Sequence, residues 1–166
     1  MTETVKVRKE GEIAVVLLNR PEKFNAFDLA MLEQLANHLI SLTADDKVRA
    51  VVISSEGKAF CAGGDLKWIL DYPQGVPAGF HELAARFHQA VLEIRRMKKP
   101  VIAAINGIAA GGGFSLALAC DFRVIARSAT LKQAYTSSGL CVNGGGSFTL
   151  PVVWNFVLFF VFFSLV

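Results

Sequence analysis

Short apolar runs, too brief for helices, alternate in this chain with longer stretches of helical periodicity. That alternation limits it to a small set of folds. Ile13 to Leu18 (IAVVLL), Ala50 to Ser54 (AVVIS), Pro100 to Ile105 (PVIAAI) and Phe122 to Ala126 (FRVIA) are rich in branched residues. Turn formers bound them: Gly11 and Asn19-Arg20-Pro21 flank the first, and Asn106-Gly107 follows the third. They read as buried strands. Between them, Asp28 caps a pattern with Leu29, Leu32, Leu35, Leu39 and Leu42 at helical spacing. A second amphipathic helix spans 80–97, with Leu83, Phe87, Val91 and Ile94 on one side, and Pro100 stops it. Phe114 to Ala119 is apolar and small enough for a buried helix. The pattern predicts an α/β fold of βαβ units with right-handed crossovers. Strands that are apolar throughout predict a sheet covered on both faces.

The 166 residues are enough for one domain with a real core. Hydrophobic residues make up 53%, but the excess is uneven: no charged side chain follows Lys132. A formal net charge of +3, without a Lys/Arg cluster interleaved with aromatics, gives no reason to expect nucleic acid. It suits a phosphate-bearing ligand. Cys61, Cys120 and Cys141 are odd in number and lack CxxC spacing, so neither a disulfide framework nor a zinc site is expected. A reducing cytoplasm fits that usage. The polar stretch Met1 to Gly11 has no apolar segment of a secretory signal. His38, His81 and His88 fall on helical patterns without a supporting carboxylate, and no metal site is expected from them.

Two glycine loops follow buried strands and stand where helices should begin: Phe60-Cys61-Ala62-Gly63-Gly64-Asp65-Leu66, and Asn106 to Gly113 (NGIAAGGG). Glycine lets backbone approach a ligand closely with its N–H groups turned outward. A helix N-terminus adds unpaired donors and a partial positive charge. Two such loops facing one point can make an oxyanion hole from backbone donors alone. They can equally be tight strand-to-helix turns. Neither matches the GxGxxG dinucleotide fingerprint, and no Gly-Lys-Ser/Thr of a P-loop occurs.

Four segments together, LNRPEKFNAF (18–27), KAFCAGGDL (58–66), KKPVIAAINGIAAGGGFSLALACDFRVIA (98–126) and GLCVNGGGSFTLP (139–151), resemble the enoyl-CoA hydratase/isomerase, or crotonase, family. The resemblance runs in order from about residue 5 to residue 151. It implies a spiral of ββα units, here cut short before the family's C-terminal helical region, and a trimer-based homo-oligomer. It also implies an acyl-CoA thioester as ligand. Coenzyme A would enter as part of the substrate, with no tightly bound cofactor. By motif position, the enolate-stabilising donors would be the N–H groups of Gly64 and Gly112. Ala62, Asp65, Leu66 and Lys67 would line the pantetheine and adenine path, and Lys23 and Phe24 would meet the CoA nucleotide. Bland readings stand beside these: Lys23 as a solvated loop lysine, Asp65 as a helix cap, Asp121 as a turn former.

The resemblance also shows where this chain departs. In hydratases, two glutamates occupy the positions held here by Ser115 and Tyr135. A serine hydroxyl is no general base unaided, and a tyrosine with a pKa of about 10 is a poor one at neutral pH. Simple enoyl-CoA hydration is therefore not expected. Asn143 stands where some isomerases, ring-processing enzymes and chlorobenzoyl-CoA dehalogenases carry an aspartate. It can position a carbonyl or a water, or it can simply form the favoured Asn-Gly turn.

After Pro151 the resemblance stops, and 152–166 is an almost unbroken apolar tail. The expected organisation is an acyl-CoA-binding core over 1–151 followed by this tail. The tail reads as a truncated or frameshifted product, as a segment packing on the core or a partner, or as a membrane anchor through 147–166. The membrane reading is the weaker, because Pro151 interrupts the stretch and no basic flank follows. Three functions remain: an acyl-CoA enzyme with a backbone oxyanion hole, or a damaged copy of one; a catalytically silent acyl-CoA-binding fragment; or a membrane-tethered fragment.

Overall fold

In the computed structural model, residues 3–155 are described. Strand β1 (Val5–Glu10) turns at Gly11 into β2 (Ile13–Leu18), and the two pair antiparallel with Glu10 opposite Ile13. Gly11 has φ 61°, a left-handed conformation that glycine enters without a Cβ clash. Strands β3 (Ala50–Ser55), β5 (Val101–Ile105) and β7 (Phe122–Ile125) then add in parallel, giving the order β1-β2-β3-β5-β7. Three short strands, β4 (Ala59–Cys61), β6 (Ile108–Ala110) and β8 (Leu131–Lys132), form a second parallel sheet.

The connectivity repeats. The first two strands, β1 and β2, both stay in the large sheet; each later strand pair sends its first member to the large sheet and its second to the small one. Helix α1 (Leu29–Ala44) follows β2, α2 (Leu66–Leu70) and α3 (Val76–Arg96) follow β4, and α4 (Gly112–Ala119) follows β6. This is the expected α/β spiral of ββα units. A last helix, α5 (Gly146–Asn155), runs through Pro151. The tail beyond it lies outside the described residues. Among the described residues no helix is long and apolar enough to cross a membrane.

The core follows from the helical stripes. In α1, Met31, Leu32, Leu35, Ala36, Leu39 and Leu42 are buried at three- and four-residue spacing. In α3, Leu83, Phe87, Ala90, Val91 and Ile94 face them. Each such large side chain contributes about 1.5–3 kcal/mol when fully buried. Helix α4 buries Gly113 and Ser115 through Ala119, so it has no polar face. Asp28 caps α1 as expected, its carboxylate accepting from the Met31 N–H at 2.8 Å.

Several expectations needed correction. Helix α3 begins at Val76, ahead of the expected residue 80, with Pro77 in its first turn, where proline's missing N–H costs nothing. The large sheet is not fully covered on both sides: β3 and β5 alternate buried and half-buried residues. Strands β4 and β6 occupy the starts of what reads as glycine loops. Asp121 does more than form a turn: its carboxylate accepts from the Val101 N–H at 2.9 Å and ties the end of α4 to the start of β5.

Candidate active site

Both glycine loops leave the small sheet side by side. Cys61 in β4 leads to Ala62–Asp65, and Ala110 in β6 leads to Gly111–Gly113. Their contact is too close for side chains. A Cβ on Gly113 would stand 2.1 Å from the Cys61 carbonyl oxygen. One on Gly63, whose φ is 101°, would stand 3.1 Å from the Ala110 oxygen and 3.3 Å from the Gly112 nitrogen. Glycine at these positions lets the two loops meet.

Phe27 then brackets the first loop. Its N–H donates to the Gly63 carbonyl at 2.7 Å, and its carbonyl accepts from the Asp65 N–H at 2.8 Å. Between these bonds, the Gly64 N–H has no acceptor among the described residues. Gly112 is the first residue of α4, and its N–H also lacks an acceptor there, as helix geometry requires. Both residues line one cavity of about 250 Å³. Two unpaired backbone donors thus border a common space.

The rest of that wall is apolar. Phe27, Leu32, Ile69, Phe80, Leu83 and Phe87 surround it, and the Phe27 and Phe87 rings lie 5.4 Å apart. Polar side chains enter from one side. Tyr135 and Asn143 line the cavity, and the Tyr135 hydroxyl lies 3.2 Å from the Ser115 hydroxyl. Burial raises the Tyr135 pKa above its ordinary value, against hydrogen bonds from Ser115 and the Asn143 backbone. The phenol is therefore held neutral, as a donor rather than a base. Ser115 itself is buried in α4 behind the cavity wall. The Asn143 side-chain oxygen accepts from the Gly144 N–H at 2.5 Å, so this residue both forms the turn and borders the cavity. No carboxylate borders the cavity among the described residues.

The expected thioester-path residues divide between two places. Ala62 and Leu66 line the apolar cavity. Lys23, Asp65 and Lys67 border a second depression of about 360 Å³ with Trp68 and Tyr72, whose rings are 4.9 Å apart. Phe24 borders neither, and its side chain is exposed at a backbone φ of 51°. Asp65 caps α2 through the Trp68 N–H at 3.1 Å and pairs with Arg20 at 3.1 Å. Burial pushes its carboxyl up, but the Trp68 N–H and the Arg20 guanidinium outweigh this and hold it below the usual carboxylate range. Among the described residues no cluster of three His, Cys, Asp or Glu side chains could hold a metal.

Sequence reasoning passed over Phe27, Phe80 and Phe87 as site residues. Phe87 sits on a helical stripe that also serves the core, and nothing local separates a core phenylalanine from a cavity wall. Gly63 had a signal, because two adjacent glycines before a capping aspartate leave one free for positive φ.

A spiral of strand–strand–helix units, with two glycine loops meeting over an apolar cavity, defines the crotonase fold. The chain belongs to the enoyl-CoA hydratase/isomerase family, whose model matches residues 8–153. It is 36% identical over 154 residues to the 1,2-epoxyphenylacetyl-CoA isomerase of Escherichia coli, covering 92% of this chain and 59% of that protein. It is 36% identical over 148 residues to a 4-chlorobenzoyl coenzyme A dehalogenase from an Arthrobacter species, covering 89% of this chain and 54% of that protein. An enoyl-CoA hydratase structure from Bacillus anthracis superposes with a TM-score of 0.84 at 35% identity, covering 90% of this chain and 58% of that one. The chain thus spans about half to three fifths of the length of the curated relatives it matches.

Proposed function

We propose that this chain binds an acyl-CoA thioester with its carbonyl oxygen between the Gly64 and Gly112 N–H groups, and that these donors stabilise the enolate formed when a base from solvent, hydroxide or buffer, takes an α-proton. The observation that carries this reading is the pair of unpartnered backbone donors on one apolar cavity. Backbone donors held by the fold need no reorganisation as charge develops on the oxygen. Removing one such donor in comparable sites costs on the order of 10²–10³ in rate. The thioester's acyl group enters among the phenylalanines, and the CoA chain leaves past Leu66 towards Lys23 and Lys67. These two lysines supply positive charge for its phosphates.

Ser115, Tyr135 and Asn143 meet where an acid or base would act. With no carboxylate among them, water addition across a double bond is disfavoured. The neutral Tyr135 phenol suits donation of a hydrogen bond or proton to the acyl group, with Ser115 orienting it. The relatives named above include a 1,2-epoxyphenylacetyl-CoA isomerase and a 4-chlorobenzoyl coenzyme A dehalogenase beside an enoyl-CoA hydratase, which supports an acyl-CoA thioester as the substrate class.

The test is exchange of the α-protons of butyryl-CoA in D₂O, followed by proton NMR, alongside calorimetric binding. Binding with exchange above the buffer rate is expected. Binding without exchange assigns the silent acyl-CoA-binding role instead, and no binding of any acyl-CoA rejects the thioester site.

A further inference from the structure

The direction of the Gly64 N–H is set by its neighbours, since glycine itself imposes little. Phe27 holds the residues on either side of it. What holds Phe27 is a cation. Arg20 is well shielded, and its guanidinium donates to the Ala26 carbonyl at 2.5 Å. It also reaches one oxygen of Asp28 at 3.2 Å and one of Asp65 at 3.1 Å. Asp28 caps α1 and Asp65 caps α2. One side chain thus grips the segment on both sides of Phe27 and the residue after Gly64.

The root of Arg20 is equally fixed. Its N–H donates to the Asn25 side-chain oxygen at 2.8 Å, and its carbonyl accepts from the Asn25 N–H at 2.9 Å. Asn25, fully buried, donates to the Ala59 carbonyl at the start of β4. The whole loop is therefore pinned to the strand that carries the first glycine loop. Without the guanidinium, the partly buried carboxylates of Asp28 and Asp65, which both contact the same guanidinium nitrogen, would lose their shared counter-charge. Their repulsion would open the gap that fixes Gly64. Lysine is a poor replacement, because its donors radiate from a single nitrogen, whereas the acceptors here are met by two separate nitrogens of a planar fork.

We propose that Arg20 is a positioning residue for the Gly64 donor, bridging Ala26, Asp28 and Asp65 so that the Gly64 N–H keeps its line to the thioester oxygen. The proposal rests on the enolate-site reading above. It assigns Arg20 no contact with substrate. A misplacement of about 1 Å at a reacting centre can cost on the order of 10² in rate, so loss of Arg20 acts on the donor before it acts on binding.

The experiment uses the full chain and benzoyl-CoA carrying carbon-13 at the thioester carbonyl. That ligand has no α-proton and stays intact. A carbonyl polarised by both donors shows a downfield shift when bound. In Arg20→Met, we expect most of that shift to vanish at saturation while the Kd rises by less than about threefold. Arg20→Lys recovers a minor part of it. Asp65→Asn keeps the helix cap but loses the ion pair, and loses part of the shift; it carries the test alone if Arg20→Met is insoluble. A purely structural Arg20 would lower the melting temperature yet leave the shift per bound ligand intact, and that result overturns the proposal. No shift in the unaltered chain removes the enolate-site reading itself, and this inference with it.

Discussion

Replacing Gly113 with alanine tests whether the contact between the two glycine loops is as rigid as its geometry implies. The new Cβ would lie 2.1 Å from the Cys61 carbonyl oxygen, 2.6 Å from the Cys61 Cβ and 2.8 Å from its carbonyl carbon. A carbon approaches a carbonyl oxygen comfortably at about 3.3 Å, so roughly 1.2 Å must be found. Cys61 cannot supply it: it is fully buried and belongs to β4, which pairs with β6. Helix α4 cannot slide out either, because its whole length from Ser115 to Ala119 is buried. Overpacking of this kind costs about 1–3 kcal/mol, and a backbone wall puts it near 3. For a chain of this size, that is a fall in melting temperature of roughly 6–12 °C. The neighbouring Gly112→Ala is the control. Its Cβ would meet the Phe27 ring at 3.4 Å and no backbone atom closer than 3.7 Å. Alanine there should stay within about 1 kcal/mol of the unaltered chain. Thermal unfolding followed by circular dichroism measures both. Equal melting temperatures for the two variants would refute the reasoning, because they differ only in what the added methyl meets.

Two further outcomes follow from the ionisable groups. The Asp65 carboxyl is held below its ordinary range, so its contribution to stability is present above its unfolded pKa of about 3.9 and is lost as the pH falls through the lower folded value. Urea unfolding between pH 6 and about pH 3 should therefore weaken more steeply for the unaltered chain than for Asp65→Asn, and parallel curves would contradict the ion pair. Burial pushes the Cys61 and Cys120 thiols up to about 12, whereas Cys141 is exposed. Iodoacetamide at neutral pH should label Cys141 alone in the folded chain and all three cysteines after unfolding, by mass spectrometry. Labelling of Cys61 in the folded state would mean that β4 opens.

The parts legible in the sequence are those written in local chemistry. Branched apolar runs marked β2, β3, β5 and β7. Leucines at helical spacing marked α1, and Asp28 and Asp65 were recognisable as caps because a short carboxylate before a helix has one preferred use. The short strands β4, β6 and β8 were not legible, since two or three residues carry no periodicity and gain their pairing only when loops meet. The charged β1 was missed as well: only Val5 among its residues is buried, and its strand state comes from pairing with β2.

The site divides along the same line. Glycine runs at 63–64 and 111–113 announced backbone that a ligand could approach, and the residue types at 115, 135 and 143 showed the want of carboxylates. Only the tertiary structure brought Gly64 and Gly112 to one cavity and left their N–H groups without acceptors among the described residues. It also turned the Ser115 and Tyr135 hydroxyls toward each other and set Arg20 between two helix caps. A sequence records which atoms can donate and where the chain can bend. Which donors stay unpaired depends on contacts between segments far apart in the chain, here Phe27 against Gly63 and Asp65, and Cys61 against Gly113.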